Sequence, residues 1–249
     1  MTVNATKTNL QEILPLRNLF LQENNFQIRY NAQHERGWSD SYLITQHGEK
    51  IGYGSVSNLD EKNSVFEFYI IPSFRNLAPP AFLKLVQTSN ASFVVCQSND
   101  LLLLSLLFQF GQNINADTVL LEEDFTSSIC MDNVIFRKRN DKDIIFEHRA
   151  EPVGAYVLEV NNEVVATGGF LLHYNMPFAD LYMEVKEDCR RKGLGSFLIQ
   201  EIKKQCYLAG RVPAARTGLD NIASKATLIK AGFKVAGFML LGHVRSNKE

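Results

Sequence analysis

Arg190-Arg191-Lys192-Gly193-Leu194-Gly195 puts three cations and two glycines where a strand gives way to a helix. The strand before it reads Leu181-Tyr182-Met183-Glu184-Val185. The helix after it sets Leu194, Phe197, Leu198, Ile202 and Cys206 on one face, with Gln200 elsewhere and Lys203 and Lys204 on a polar face where both are expected to be solvated. A helix N-terminus carries partial positive charge and unpaired amide donors, so an isolated helix should open with Asp or Glu. Arg-Arg-Lys at that spot is electrostatically wrong unless an anion sits on the helix end. Two glycines let the backbone come close enough to donate amides to phosphate oxygens, and the cations balance the remaining charge.

Other phosphate motifs do not fit. A P-loop needs Gly-x-x-x-x-Gly-Lys-Ser/Thr, which is nowhere in the chain. A dinucleotide fingerprint needs a third glycine, where Leu198 stands, and an acidic residue about twenty positions on. What remains, Arg-x-x-Gly-x-Gly between strand and helix, resembles the pyrophosphate loop of the GNAT N-acetyltransferase superfamily. Downstream, Asn221-Ile-Ala-Ser224 precedes an apolar-periodic helix that ends at Lys230-Ala231-Gly232-Phe233. Asn221 reads as an N-cap and Gly232 as the residue past the C-terminus. That segment looks like the second signature of the same superfamily, in the order and at the separation the family requires.

The resemblance implies acetyl-coenzyme A as acyl donor, its diphosphate over the amides of residues 191 to 196. It implies cofactor contacts from Arg190, Arg191, Lys192, Gly193, Leu194, Gly195, Ser196, Asn221 and Ser224. It also implies that the strand before the loop splays from its neighbour, with Met183 and Val185 as main-chain partners of the thioester and pantetheine. Acyl transfer to an amine needs a donor for the carbonyl oxygen and a base for the acceptor ammonium. Glu184 is the candidate base: it interrupts an apolar strand just before the loop, shares a face with Asp180 and Tyr182, and partial burial would raise its pKa. His173 and Tyr174, at the end of the preceding strand, are second candidates. Arg211 and Arg216 open the next strand, as surface arginines or as contacts to the cofactor or an acidic acceptor group. Many family members carry a Tyr seven residues after the Asn as acid to the thiolate; here that position is Leu228.

Outside the motif, the 249 residues repeat themselves. Tyr42 to Val56 and Tyr156 to Phe170 match at one offset: Tyr42 with Tyr156, Glu49 with Glu163, Ile51 with Val165, Gly54 with Gly168. Each reads as a hairpin, turning at Gln46-His47-Gly48 and at Asn161-Asn162. An apolar strand follows in each half, then a helix bracketed by Asp100 and Gly111 or by Asn221 and Gly232. The expectation is an α/β fold with mixed sheets and two GNAT-like acyl-CoA N-acyltransferase domains in tandem. Residues 1–125 form a degenerate copy and 126–249 the acetyl-CoA-binding catalytic domain, joined within Glu122 to Asn133. In the first copy Arg75 aligns with Arg190, but Ala78 and Pro80 stand where the glycines belong, and proline removes an amide.

A formal net charge of −1 argues against a nucleic-acid-coating surface. Cys96, Cys130, Cys189 and Cys206 are scattered without His partners at metal spacing, so neither a metal site nor a disulfide framework is expected, and a cytoplasmic setting is. The run Leu101 to Phe108 is too short for a bilayer and reads as a buried helix. The expected activity is transfer of an acetyl or other acyl group from acetyl-coenzyme A to a small-molecule or peptide amine, without nucleic acid or membrane. The alternative is a non-catalytic coenzyme A-binding sensor or scaffold.

Overall fold

The computed structural model describes residues 3–24, 26, 28–59 and 63–245. The chain opens with β1 (Val3–Thr8), α1 (Leu10–Asn24), α2 (Asn31–Glu35), β2 (Ser39–Gln46), β3 (Glu49–Ser57) and β4 (Ser64–Ile70). A 3-10 turn at Pro72–Leu77 leads to α3 (Ala78–Ser89), β5 (Phe93–Gln97), α4 (Leu101–Phe110) and β6 (Gly111–Glu123). Then come β7 (Ile135–Lys138), β8 (Tyr156–Val160), β9 (Glu163–Leu171), β10 (Phe178–Val185), α5 (Leu194–Leu208), β11 (Val212–Gly218), α6 (Ile222–Lys230) and β12 (Phe233–Val244). Contacts group these into two units. One holds Met1–Phe26, Tyr30–Thr118 and Gly237–Glu249; the other holds Gln27–Arg29 and Val119–Ala236. β6 leaves the first unit for the second and β12 returns, so the last strand of the chain is shared out between them.

In the first unit, β1 to β4 form an antiparallel meander, β4 runs parallel to β5, and the far half of β12 pairs antiparallel with β5 from Met239↔Gln97 to His243↔Phe93. Phe68, Ile70, Phe82 and Leu85 share the main apolar core with Leu103, Leu106 and Leu107 of α4. Ile13, Leu16 and Phe20 of α1 pack with Tyr53 and Tyr69 in a second core. α4 is amphipathic rather than buried all round: Leu101 and Phe108 are 72% and 60% exposed, because a helix against one sheet face has only one stripe to hide.

The second unit repeats this plan with β7 to β10 antiparallel and β10 parallel to β11. Both hairpins turn where the sequence says, with left-handed His47 and Gly48 in one and left-handed Asn161 and Asn162 in the other. The repeat extends to defects. A register shift falls between Ile44 and Thr45 and, at the same offset, between Leu158 and Glu159. Tyr42 pairs with Gly54 as Tyr156 pairs with Gly168. A Cβ on Gly54 would lie 2.2 Å from Leu85 of α3, and one on Gly168 2.6 Å from Ile202 of α5. In each copy the helix after β4 or β10 crosses the sheet so closely that only glycine fits beneath it.

The copies part company on the opposite sheet face. In the first unit α1 and α2 cover it, and the fully buried Glu67 carboxylate accepts from Arg17 Nε and Nη2, both at 2.9 Å, and from the Tyr53 hydroxyl at 3.0 Å. His34 Nε2 lies 3.1 Å away. The second unit has no helix between β7 and β8, and the irregular segment 139–155 takes that place. Among the described residues no helix is long and apolar enough to cross a membrane.

Candidate functional site

β10 pairs with β9 from Asp180 to Val185, but with β11 only over Phe178, Ala179 and Asp180. Both strands run on past that point without pairing, so one edge of residues 181–185 faces an opening. The splay expected of the strand before the loop is therefore in place. It exists in the first unit too, where β4 and β5 share only two rungs, Ser64↔Phe93 and Val65↔Val94.

At the end of β10 the chain makes a 3-10 turn at Glu187–Cys189, extends at Arg190, turns left-handed at Arg191 (φ 63°) and Gly193 (φ 85°), and enters α5. The first turn of α5 has no side-chain cap and no acidic residue. α4 and α6 differ: Asp100 accepts from the Leu103 amide at 3.2 Å and Asn221 from the Ser224 amide at 3.0 Å. Among the described residues, the amides of 191–196 donate to no protein acceptor, the first bond of the turn being from the Phe197 amide to the Gly193 carbonyl. The start of α3 is uncapped as well, but Pro79 and Pro80 take amides out of its first turn. α5 combines bare donors with a left-handed entry, which fits an anion such as a diphosphate.

The cations divide their work. Arg190 Nε donates to the Val185 carbonyl at 3.0 Å, and its Nη2 lies 3.8 Å from Glu184. Arg75 makes the same bond to Ile70 in the first copy, also five residues back. This arginine therefore ties the turn to the strand in both copies. Arg191 is exposed, and Lys192 Nζ donates to the Asp188 carbonyl at 3.3 Å. A further cation escaped the sequence reading: Lys230 Nζ comes within 3.7 Å of where a Cβ on Gly193 would sit. Its place in the last turn of α6 is ordinary for lysine, so only the fold shows which helix end it faces.

Gly195 is hemmed in. A Cβ there would meet Thr227 Cγ2 at 3.0 Å and Met183 Cε at 3.2 Å, which brings strand, loop helix and α6 together. Ser196 Oγ adds a bond to the Thr227 carbonyl at 3.1 Å, and Leu194 is buried. Asn221 and Ser224 serve the start of α6 through their cap, and Leu228 is buried beneath that helix.

Two expectations need correction. Lys203 is not solvated: its ammonium is buried, donates to the carbonyls of Phe125 at 2.9 Å and Ala231 at 3.1 Å, and pairs with Glu123 at 2.8 Å. The chain joining the two copies lies over that face of α5, and Gln200 holds Ile129 by both its amide groups. Glu184 does not have a raised pKa. Burial alone would push it up, but the amides of Arg149, Ala150 and Glu151 at 3.0, 3.2 and 3.0 Å outweigh burial and hold the carboxyl below its ordinary value. Three amide donors stabilise the anion and weaken it as a base.

On the same face of β10, Asp180 Oδ2 lies 2.9 Å from His173 Nε2 and 3.4 Å from Arg216 Nε. The strand alternation put Asp180 on that face, but nothing local pairs it with a loop residue and a residue of β11.

Comparison with known proteins agrees with this geometry. An acetyltransferase (GNAT) domain family matches residues 9–124, and the acetyltransferase (GNAT) family proper matches residues 120–233. The chain belongs to the GNAT acetyltransferases, as two such domains in tandem, and is an acyltransferase. No curated protein matches it in sequence. Among solved structures, an acetyltransferase of the GNAT family from Colwellia psychrerythraea superposes with a TM-score of 0.72 at 13% identity, covering 98% of this chain and 100% of its own. A GCN5-related N-acetyltransferase from Sphaerobacter thermophilus gives 0.61 at 14% identity, covering 99% and 97%. A tandem GNAT protein from the clavulanic acid biosynthesis pathway gives 0.60 at 10%, covering 99% and 100%. At such identities the likeness speaks for the fold.

Proposed function

We propose that the second unit transfers an acetyl group from acetyl-coenzyme A to an amine, on a small molecule or a peptide, by direct attack within a ternary complex. The observation that carries this reading is the uncapped start of α5, with the amides of 191–196 unclaimed and Arg191, Lys192 and Lys230 beside it. Coenzyme A is the substrate whose diphosphate suits those donors. Its pantetheine arm would follow the open edge of β10 past Val185 and Met183, with a main-chain donor there facing the thioester oxygen. Arg190 orders the turn rather than meeting the phosphate. The first copy keeps the splay but has lost the seat: its loop carries Pro79 and Pro80 in the first turn of α3, and α1 and α2 cover the other sheet face.

The engaged carboxylate of Glu184 and the apolar Leu228 support a second reading, a coenzyme A-binding module without catalysis. Thiol release from acetyl-coenzyme A with a panel of amines separates the two. Release with at least one amine supports transfer, whereas tight coenzyme A binding with no release across the panel supports the module. Gly195→Pro deletes one amide and meets Thr227 and Met183, and it should abolish coenzyme A binding measured by calorimetry. Pro80→Ala should leave binding unchanged. Equal weakening by both would defeat the assignment of the seat to the second copy.

A further inference from the structure

We infer that Lys203 is a positioning residue for coenzyme A, capping the end of α6 from α5 and so holding Lys230 at the diphosphate seat, an inference that rests on reading the start of α5 as that seat. Burying an ammonium is costly unless its donors are met. Helical periodicity asks for no buried charge at 203, yet that side chain is only 4% exposed. Two carbonyls accept from its Nζ, Phe125 at 2.9 Å and Ala231 at 3.1 Å, and the Glu123 carboxylate lies 2.8 Å away. The Phe233 ring closes the cup, its centroid 5.1 Å from the ammonium.

The backbone around that cup is shaped to hold it. The amides of Asp124 and Phe125 both donate to the Gly232 carbonyl, at 2.9 and 3.1 Å, and the Ser127 hydroxyl gives the Ala231 carbonyl a second donor at 3.2 Å. Gly232 is left-handed, at φ 92°, and a side chain there would collide with the Phe125 carbonyl and come within 3.1 Å of Lys203 Nζ. Ala231 is the C-cap of α6, so its carbonyl is one that the helix leaves unpaired. A cation at that end also meets the negative pole of the helix dipole.

With nine residues, α6 is too short to hold its place without such anchors. A second anchor comes one turn earlier, where Ser196 Oγ donates to the Thr227 carbonyl at 3.1 Å and Thr227 Cγ2 packs on Gly195. Both anchors belong to α5, two turns apart and so on one side of it. Lys230 lies between Thr227 and Ala231 in the chain, and its Nζ reaches to within 3.7 Å of where a Cβ on Gly193 would sit. The two anchors fix where Lys230 leaves its helix and hence where its charge stands. Lys203 acts through Lys230 and not on the phosphates itself.

The test is calorimetric titration of the full chain with coenzyme A. Lys203→Met is combined with Glu123→Gln so that no buried carboxylate is stranded. The combination should weaken binding by about fivefold at low salt, as Lys230→Ala does, and by less at 1 M salt. Added to Lys230→Ala it should weaken binding by less than about twofold more, because the charge it positions is gone. A merely structural role predicts instead a loss that ignores salt and multiplies with that of Lys230→Ala. Ser127→Ala removes the other donor to the Ala231 carbonyl without touching a charge, and it decides the matter if the combined variant does not fold. It should weaken binding by about twofold, and not at all once Lys230 is Ala. Affinity within about 1.5-fold of wild type in the folded combined variant (or, failing that, in Ser127→Ala), or losses that multiply, overturns the role of Lys203 and leaves the seat standing. No coenzyme A binding by wild type overturns both.

Discussion

At the residue scale, position and partners decide what a carboxylate does more than its place in a motif. Glu184 sits where a base is expected, yet its oxygens order the segment 149–151. Its folded-state pKa is lowered, so its contribution to stability is complete above the ordinary glutamate range and is lost as pH falls through the folded value. Glu184→Gln should therefore cost about 1–3 kcal/mol at pH 7, read from urea unfolding, with the gap to wild type closing in acid. Turnover should stay within a few-fold. A hundredfold loss of kcat with unchanged stability would return the base role to Glu184. The sequence made the face of β10 legible, because alternation puts Asp180, Tyr182 and Glu184 on one side. What covers that face was illegible, since residues 149–151 contribute bare amides and main chain has no sequence signature.

At the element scale, α3, α4, α5 and α6 each follow a strand, and the chemistry of their first turns tells them apart, with prolines in that of α3. Asp100 and Asn221 announce α4 and α6, and both caps form as the residue types require. α5 begins instead with a left-handed glycine and cations, a combination readable from the hexapeptide alone. Lys230 was not readable in that role, because which cations gather at a helix end depends on how α6 packs beside α5. Lys230→Ala should weaken coenzyme A binding by about fivefold at low salt, some 1 kcal/mol, and by less at 1 M salt where screening is short-ranged. Calorimetry at two salt concentrations checks this; a salt-independent loss would mean that Lys230 acts through packing. The burial of Lys203 was hidden for a related reason: helical periodicity marks it as polar, and only the carbonyls of Phe125 and Ala231 make that face an interior.

At the scale of the whole molecule, the repeat is complete enough to share its flaws, down to paired register shifts and paired glycines under crossing helices. That much was legible in the offset between Tyr42 and Tyr156. The exchange of the last strand was not, because β12 reads as a single strand and pairing partners leave no trace in alternation. A chain ending at Ala236 should lose amide protection across Phe93–Gln97 in hydrogen exchange, since five rungs with β12 disappear, each worth about 0.5–1.5 kcal/mol. β8 to β10 should keep theirs. Protection retained in β5 would show that the returning strand is dispensable.

That returning strand bears on how a duplicated gene ages. A copy that has lost its phosphate seat would ordinarily be free to erode, and a deletion removing it would do no harm. Here Met239 to His243 of β12 complete the sheet of the first unit against β5, while Ile28 and Arg29 group with the second unit. A truncation that took away the second copy with its last strand would therefore also deprive β5, in the first copy, of its antiparallel neighbour.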